Sequence, residues 1–148
     1  MAFHFTLAVV LRYRKSLEER EELLLQELLA SRGGLLRQLQ QNRDAFSRLQ
    51  EAMQHGLQQE PTPAVEVQFS LARLGSIQRR QESLQLQLSE LEVRIAEQTE
   101  RYRRQRRNRE VLESLRDRQL DDYRIEQKRR EQASLDELYL LRRSREKA

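Results

Sequence analysis

Residues 84–95 read LQLQLSELEVRI, and within them Leu84, Leu88, Leu91 and Ile95 follow a 4-3-4 spacing. Apolar residues at this spacing, kept over several heptads, are typical of a helix that buries one narrow stripe, the seam, against a second helix in a coiled coil. The same register extends in both directions, through Val67, Leu71, Leu74, Gln98, Tyr102, Gln105, Arg109 and Leu112. The polar members of this series are expected to cost stability and to help fix the register of the two helices.

A strong break in the helical pattern lies at residues 56–63, which read GLQQEPTP. Gly56 is suited to end a helix in a left-handed cap, and proline is excluded from a helix interior. Thr62 followed by Pro63 is typical of an N-cap and a first helical position. The break therefore predicts one helix before it and another after it.

Two long helices that fold back at this break form an antiparallel coiled-coil hairpin, and this all-α hairpin is the predicted fold class. We expect the first helix over about 3–55, the turn over about 56–63 and the second helix over about 64–146. Together they make a single domain of residues 1–148.

The apolar residues of the first helix fall on two lines that lie one residue apart. One line holds Phe3, Leu7, Val10, Leu17, Leu24 and Leu28. The other holds Leu25, Leu29, Leu36, Leu39, Phe46, Met53 and Leu57. The phase changes near Gly33 and Gly34, and each glycine costs about 1 kcal/mol against alanine inside a helix. The pair is either a local bend or a weak spot in a straight helix.

The end of the second helix has no partner within the predicted hairpin. Folding about residue 60 places Phe3 beside residue 117, so that residues 120–148 extend past the first helix as an overhang. This stretch carries Leu120, Tyr123, Leu135, Leu138, Tyr139 and Leu141. Because an unpaired helix with apolar residues tends to bury them against something else, we expect the overhang to contact a partner protein.

The composition argues against an enzyme. Charged residues make up 35% of the chain and aromatic residues 5%, which suits a narrow seam better than a wide core. There is no cysteine, and so no disulfide or thiolate metal site. We find no phosphate-binding loop, no metal-ligand spacing and no nucleophile with a nearby base. We expect no catalytic residue, no cofactor, no metal and no small-molecule substrate, and a soluble chain without a signal peptide.

The formal net charge is +4, and six arginines are concentrated in residues 101–109, which read RYRRQRRNR. Three interpretations stay open for this cluster. It is a solvated helix face, an electropositive surface for an acidic protein, or a phosphate-binding stretch for nucleic acid or acidic lipid. The arginines fall on more than one helix face and glutamates flank them, so the solvated face is favoured.

Both ends of the chain carry recognisable sequence patterns. The N-terminal run is FHFTLAVVLRYRKSLEE, and its residues Phe3, Phe5, Leu7, Val10, Leu11, Arg12 and Arg14 resemble the opening pattern of the flagellar export stalk proteins, the FliJ family. The run REVLESLRDRQLDDYRIEQKRREQASLDEL is similar to the family's C-terminal pattern at Leu112, Leu115, Tyr123, Glu126, Glu131, Leu135, Asp136 and Glu137. The injectisome stalk proteins of the YscO type share the architecture with weaker motifs.

The resemblance implies a non-enzymatic stalk similar to that of rotary ATPases. Such proteins insert their terminal tip into a hexameric export ATPase and link it to the cytoplasmic domain of the membrane export gate, and some bind export chaperones. The expected location is the cytoplasm, peripheral at the cytoplasmic face of the inner membrane. By this resemblance the partner-binding residues are Phe5, Leu7, Val10, Leu11, Arg12, Leu112, Leu115, Tyr123 and Leu135.

Two other functions remain as alternatives to the stalk. The first is a generic coiled-coil scaffold or assembly protein, in which each apolar residue above is simply a seam residue. The second, which is less favoured, is a basic helical nucleic-acid binder that uses the arginines of residues 101–109.

Overall fold

The computed structural model describes residues 2–59 and 63–147, and these contain two long helices and no β-strand. Helix α1 spans Ala8–Gln59 and helix α2 spans Ala64–Lys147. The two helices pack against each other as a helical hairpin, so the predicted all-α fold class is confirmed. The seam of α2 is the line along which this packing occurs.

The first helix begins at Ala8, later than the predicted start near residue 3. Residues 3–6 are Phe-His-Phe-Thr, none of which is a strong helix former. Residues 3–5 have no regular secondary structure, and a turn at Thr6 and Leu7 leads into the helix, with the N–H of Ala8 donating to the carbonyl of Phe5 at 3.1 Å. The side chain of Phe5 is nevertheless buried, with 5% of its surface exposed. The N-terminal segment therefore packs without being helical.

The predicted left-handed cap at Gly56 is wrong. Gly56 lies inside α1, which continues to Gln59, and no glycine in the described ranges has a positive φ. The residues that follow it, Leu-Gln-Gln, are good helix formers, so nothing ends the helix at the glycine. Thr62, the predicted N-cap, lies outside the described residues. At the start of α2 the carbonyl of Pro63 accepts hydrogen bonds from the N–H groups of Glu66 and Val67, at 3.0 and 3.3 Å.

Both helices contribute to two compact units. The terminal unit consists of Met1–Glu19 and Arg103–Ala148, and the turn unit is Arg20–Tyr102. The single domain of residues 1–148 stays a prediction.

In the turn unit, α2 packs largely as the 4-3-4 spacing predicts. Leu84 and Leu91 are buried, with 3% and 8% of their surface exposed. Leu71 is an exception, because it is 55% exposed, and its assignment to the seam is wrong. Ser70 and Ile77 are half-buried at the positions that continue the spacing from Leu74. The small polar Ser70 occupies a seam position that a search for apolar residues passes over.

The predicted change of phase in α1 is also wrong. The interface positions of α1 in the turn unit keep one unbroken alternation of three- and four-residue steps: Leu25, Leu28, Arg32, Leu35, Leu39, Asn42, Phe46, Leu49 and Met53. Leu24, Leu29 and Leu36 are 41%, 39% and 47% exposed. The helix is continuous through Gly33 and Gly34. The side chain of Leu57 lies outside the described residues.

Two buried polar side chains join the helices of the turn unit. Asn42 is 9% exposed, and its amide nitrogen donates to the carbonyl of Ile77 and to the Oε1 of Gln81, both at 3.0 Å. Gln98 is 6% exposed and donates to the carbonyl of Glu21 at 3.0 Å and to the Glu21 carboxylate. Such bonds are lost if one helix slides along the other, so they favour a single register.

Candidate interaction surface of the terminal unit

The nine residues expected to contact a partner all lie in the terminal unit. Five of them are buried or half-buried within it: Phe5, Leu7, Leu11, Leu112 and Tyr123. The other four are exposed to solvent: Val10, Arg12, Leu115 and Leu135. The structure therefore divides one predicted set into residues that pack inside the unit and residues that are accessible.

The packed group is anchored by aromatic and leucine side chains. Phe5 and Leu11 are only 5% and 4% exposed. The ring centroids of Phe3 and Tyr123 lie 5.5 Å apart with the planes tilted by 52°, a favourable arrangement for two aromatic rings. Replacing these residues would disturb the unit itself, which makes them poor probes of partner binding.

Phe3 lies beside Tyr123, whereas folding about residue 60 predicted a position near residue 117. The residues before Ala8 are not helical, and a non-helical residue spans more than the 1.5 Å of a helical one. The N-terminal segment therefore reaches further along α2 than a helix would. As a consequence Leu120 and Tyr123 are half-buried within the hairpin, and their assignment to the overhang is wrong.

A charged network joins the helices of the terminal unit. The guanidinium of Arg109 donates to both carboxylate oxygens of Glu18, one of them at 3.2 Å, and to Glu113 at 2.6 Å. Glu113 also forms an ion pair with Lys15 at 3.6 Å. The hydrogen bond with Glu18 raises the pKa of Arg109 against the opposing effect of burial. The side chains of Arg109 and Glu18 are 20% and 12% exposed, so solvent screens this pair less than a surface pair.

The arginines near the start of this unit do not form one uniform surface. Arg109 belongs to the interface network, and Arg106 forms an ion pair with Glu110 at 3.0 Å. Arg103, Arg104 and Arg107 are exposed. Part of the basic cluster thus holds the hairpin together.

Exposed apolar residues line two shallow grooves of the terminal unit. The first groove is lined by Val10, Arg14, Asn108, Val111 and Leu112. The second is lined by Arg107, Glu110, Val111, Ser114, Leu115 and Arg118. Val111 belongs to both and is 68% exposed. Val111 lies off the seam, so the heptad spacing does not select it, and its apolar side chain among the polar residues Asn108, Glu110 and Ser114 is the sequence signal that points to it.

The overhang begins later than predicted. Every residue from 128 to 147 is exposed, whereas Gln127 is half-buried. The exposed part carries apolar side chains within two turns of helix, each about 60% exposed: Leu135, Leu138, Tyr139, Leu140 and Leu141. A cluster of this kind is typical of a surface that binds another protein.

Deleting residues 128–148 is expected to leave the hairpin intact. The residues from 128 to 147 bury almost nothing, so the free energy of unfolding should change by no more than about 0.5 kcal/mol. Deleting from residue 121 onward removes Tyr123, the ring partner of Phe3, and should lower the melting temperature clearly. Thermal unfolding followed by circular dichroism compares the two truncations. An equal loss of stability in both would contradict the boundary at Gln127.

In residues 2–59 and 63–147, no three or more histidine, aspartate or glutamate side chains are grouped so as to hold a metal ion. Neither described helix has an apolar stretch long enough to cross a membrane. The accessible features of the terminal unit are the two grooves that share Val111 and the exposed overhang, residues 128–147. Exposed apolar side chains of this kind are typical of helical proteins that bind other proteins.

The family follows from comparison with known proteins. The family model described as flagellar FliJ protein matches residues 3–148, which is nearly the whole chain. The chain belongs to the flagellar FliJ protein family and is a structural component of the flagellar protein export apparatus. No significant match was found among curated proteins or among solved structures.

Proposed function

We propose that this protein is the central stalk of the flagellar export apparatus. Its terminal unit enters the pore of a hexameric export ATPase, and the stalk links that ring to the cytoplasmic domain of the membrane export gate. Export chaperones are further partners. In this role the protein works in the cytoplasm, peripheral at the cytoplasmic face of the inner membrane, and the ring alone hydrolyses ATP.

The observation that carries the proposal is the exposed overhang at one end of α2. Residues 128–147 are exposed along their whole length, and Leu135, Leu138 and Tyr139 are each 60% exposed or more. Burying one such side chain contributes about 1.5–3 kcal/mol. Several of them together supply enough free energy for binding after the cost of association.

The four accessible residues of the predicted set form the first candidates for the ring contact. Leu115 and Val10 border the grooves beside Val111, and Leu135 lies in the overhang. Arg12 is exposed one residue from the buried Leu11 and offers a charged contact to a carboxylate of the ring. The packed residues Phe5, Leu7, Leu11, Leu112 and Tyr123 support this surface from within.

The test is the ATP turnover of the cognate export ATPase at fixed concentration, with and without this protein. We expect stimulation, and we expect Leu135→Glu to reduce the apparent affinity about tenfold, since losing one buried leucine contact is worth about 1.4 kcal/mol or more. The matched control is Leu86→Glu, because Leu86 is 63% exposed but lies in the turn unit. Equal effects of both substitutions would contradict insertion of the terminal unit.

The same assay separates the stalk from the alternatives. Absence of both stimulation and binding with the wild-type chain would favour a generic scaffold. Replacing Arg103, Arg104, Arg106 and Arg107 by glutamate should abolish binding to DNA or RNA if the chain is a nucleic-acid binder. Under the stalk proposal the ring contact made by the overhang, residues 128–147, should survive these substitutions.

A further inference from the structure

A second stripe of apolar residues runs along α2 on its solvent-exposed side. Val111, Ile125 and Tyr139 are 68%, 51% and 64% exposed and follow one another at intervals of fourteen residues, so they share one heptad position. Leu115 and Leu135 flank this line, each ten residues from Ile125, and are 37% and 60% exposed. All five residues lie in the terminal unit. The stripe extends about 42 Å at 1.5 Å per residue.

The stripe is symmetric about Ile125 in its apolar residues and complementary in its charges. Asp121 and Asp122 lie four and three residues before Ile125, and Lys128 and Arg129 lie three and four residues after it. All four charged residues are exposed. Arg118 and Gln132, seven residues to either side of Ile125, share its heptad position and interrupt the apolar stripe. An antiparallel pairing about Ile125 places Arg118 of one copy opposite Gln132 of the other.

We propose that this stripe is a docking surface for a second copy of the same chain, with the two α2 helices antiparallel about Ile125. In that arrangement Asp121 and Asp122 of each copy face Lys128 and Arg129 of the other, which makes four opposite-charge contacts. Val111 and Leu115 of each copy lie near Tyr139 and Leu135 of the other. A two-fold pair requires a surface that is complementary to itself, and an antiparallel pairing of this stripe meets that requirement.

The charges also select the direction of pairing. A parallel pairing in register would place acids against acids and bases against bases, and like charges in contact disfavour an interface. The antiparallel pairing removes this repulsion and centres the apolar contact on the two Ile125 side chains. A protein of different sequence would not in general carry apolar and charged residues in this same symmetric arrangement. A second copy of the chain is therefore the partner that fits the stripe best.

Two copies pair without the ATPase ring, but their pairing affects the proposed ring contact. The pair covers Leu135 and Tyr139, which are also candidates for the ring contact. A second copy and the ATPase ring would therefore compete for the overhang. In the absence of the ring, we expect the protein to form the dimer.

Sedimentation velocity of the full chain alone, over a concentration series, tests the pairing without any ATPase. We expect a monomer–dimer equilibrium for the wild type. The variants Asp121→Lys/Asp122→Lys and Lys128→Asp/Arg129→Asp should each raise the dissociation constant at least about tenfold, because like charges then face each other. An equimolar mixture of the two variants should recover dimers, since each then meets opposite charges on the other. A wild type that stays monomeric at all concentrations, or a mixture that does not recover, overturns the proposal.

Cross-linking tests the centre and the direction of the pair. The chain contains no cysteine, so single cysteine substitutions report on one position each. Ile125→Cys should form an intermolecular disulfide with itself under mild oxidation. Arg118→Cys and Gln132→Cys, each seven residues from Ile125, should cross-link in a mixture of the two variants but not alone. Self-linking of Arg118→Cys alone would show a parallel pair and would overturn the antiparallel arrangement. Circular dichroism checks that each variant is folded.

Discussion

Replacing Leu84 by alanine is expected to lower the free energy of unfolding by about 2–4 kcal/mol. The side chain of Leu84 is 3% exposed, the smallest exposed fraction among the buried apolar residues that the structure describes. Alanine leaves a cavity between the helices, and two helices offer few neighbouring side chains that could close it. Urea unfolding followed by circular dichroism at 222 nm measures the change.

Leu86 provides the matched control for this prediction. It is the same residue type, two positions further along α2, and is 63% exposed. Leu86→Ala should change the free energy of unfolding by no more than about 0.5 kcal/mol. Similar losses for both substitutions would contradict the register in which Leu84 faces α1.

Breaking the charged pair of the terminal unit is expected to have the second largest effect. Arg109→Leu leaves Glu18 and Glu113 as partly buried carboxylates beside an apolar side chain, and Glu18→Leu leaves the Arg109 guanidinium with one carboxylate fewer. Each single substitution should cost about 2–3 kcal/mol, somewhat less than for a fully buried pair because the side chains keep 20% and 12% exposure. Thermal and urea unfolding measure these losses.

The double substitution separates the interaction from the burial of the charges. Glu18→Leu combined with Arg109→Leu should lower the free energy of unfolding by much less than the sum of the single substitutions. The double variant has lost both charges of the pair, so neither is left buried without the other. Arg106 and Glu110 serve as the control pair, since their side chains are 55% and 50% exposed. Their coupling should stay within about 0.5 kcal/mol. Additive effects at Glu18 and Arg109 would show that the contact between them does not stabilise the hairpin.

The all-α fold class and the seam of α2 between residues 84 and 112 were predictable from periodicity. A heptad spacing determines which side of a helix is buried, whatever the partner helix is, so Leu84, Leu91 and Gln98 lie where the spacing places them. The family was predictable for a different reason. The paired patterns at the two ends are sequence features, and the family match over residues 3–148 confirms the family that they indicate.

The seam of α1 was less predictable because polar residues occupy part of it. Arg32, Asn42 and Glu18 stand at interface positions, and a search for apolar residues skips each of them. Their suitability depends on the residue opposite, as with Asn42 and Gln81 or Glu18 and Arg109. That pairing exists only after the two helices meet.

Which residues of the candidate site are buried and which are exposed was also not predictable from the sequence. All nine residues suggested by the family resemblance lie in one unit, but sequence alone does not distinguish the buried Phe5 and Leu11 from the exposed Leu115 and Leu135. The distinction depends on where the N-terminal segment packs. Because that segment is not helical, it reaches Tyr123 and shortens the overhang.

Local periodicity thus suffices for the existence of the two helices and for the α2 seam from residue 84 onward, and the sequence patterns at the two ends suffice for the family of this chain. The pairing register, the buried polar partners and the start of the overhang depend on packing between residues far apart in the chain. These features depend on contacts between distant residues, such as that of Phe3 with Tyr123. Such contacts stabilise the structure only after the two helices have come together.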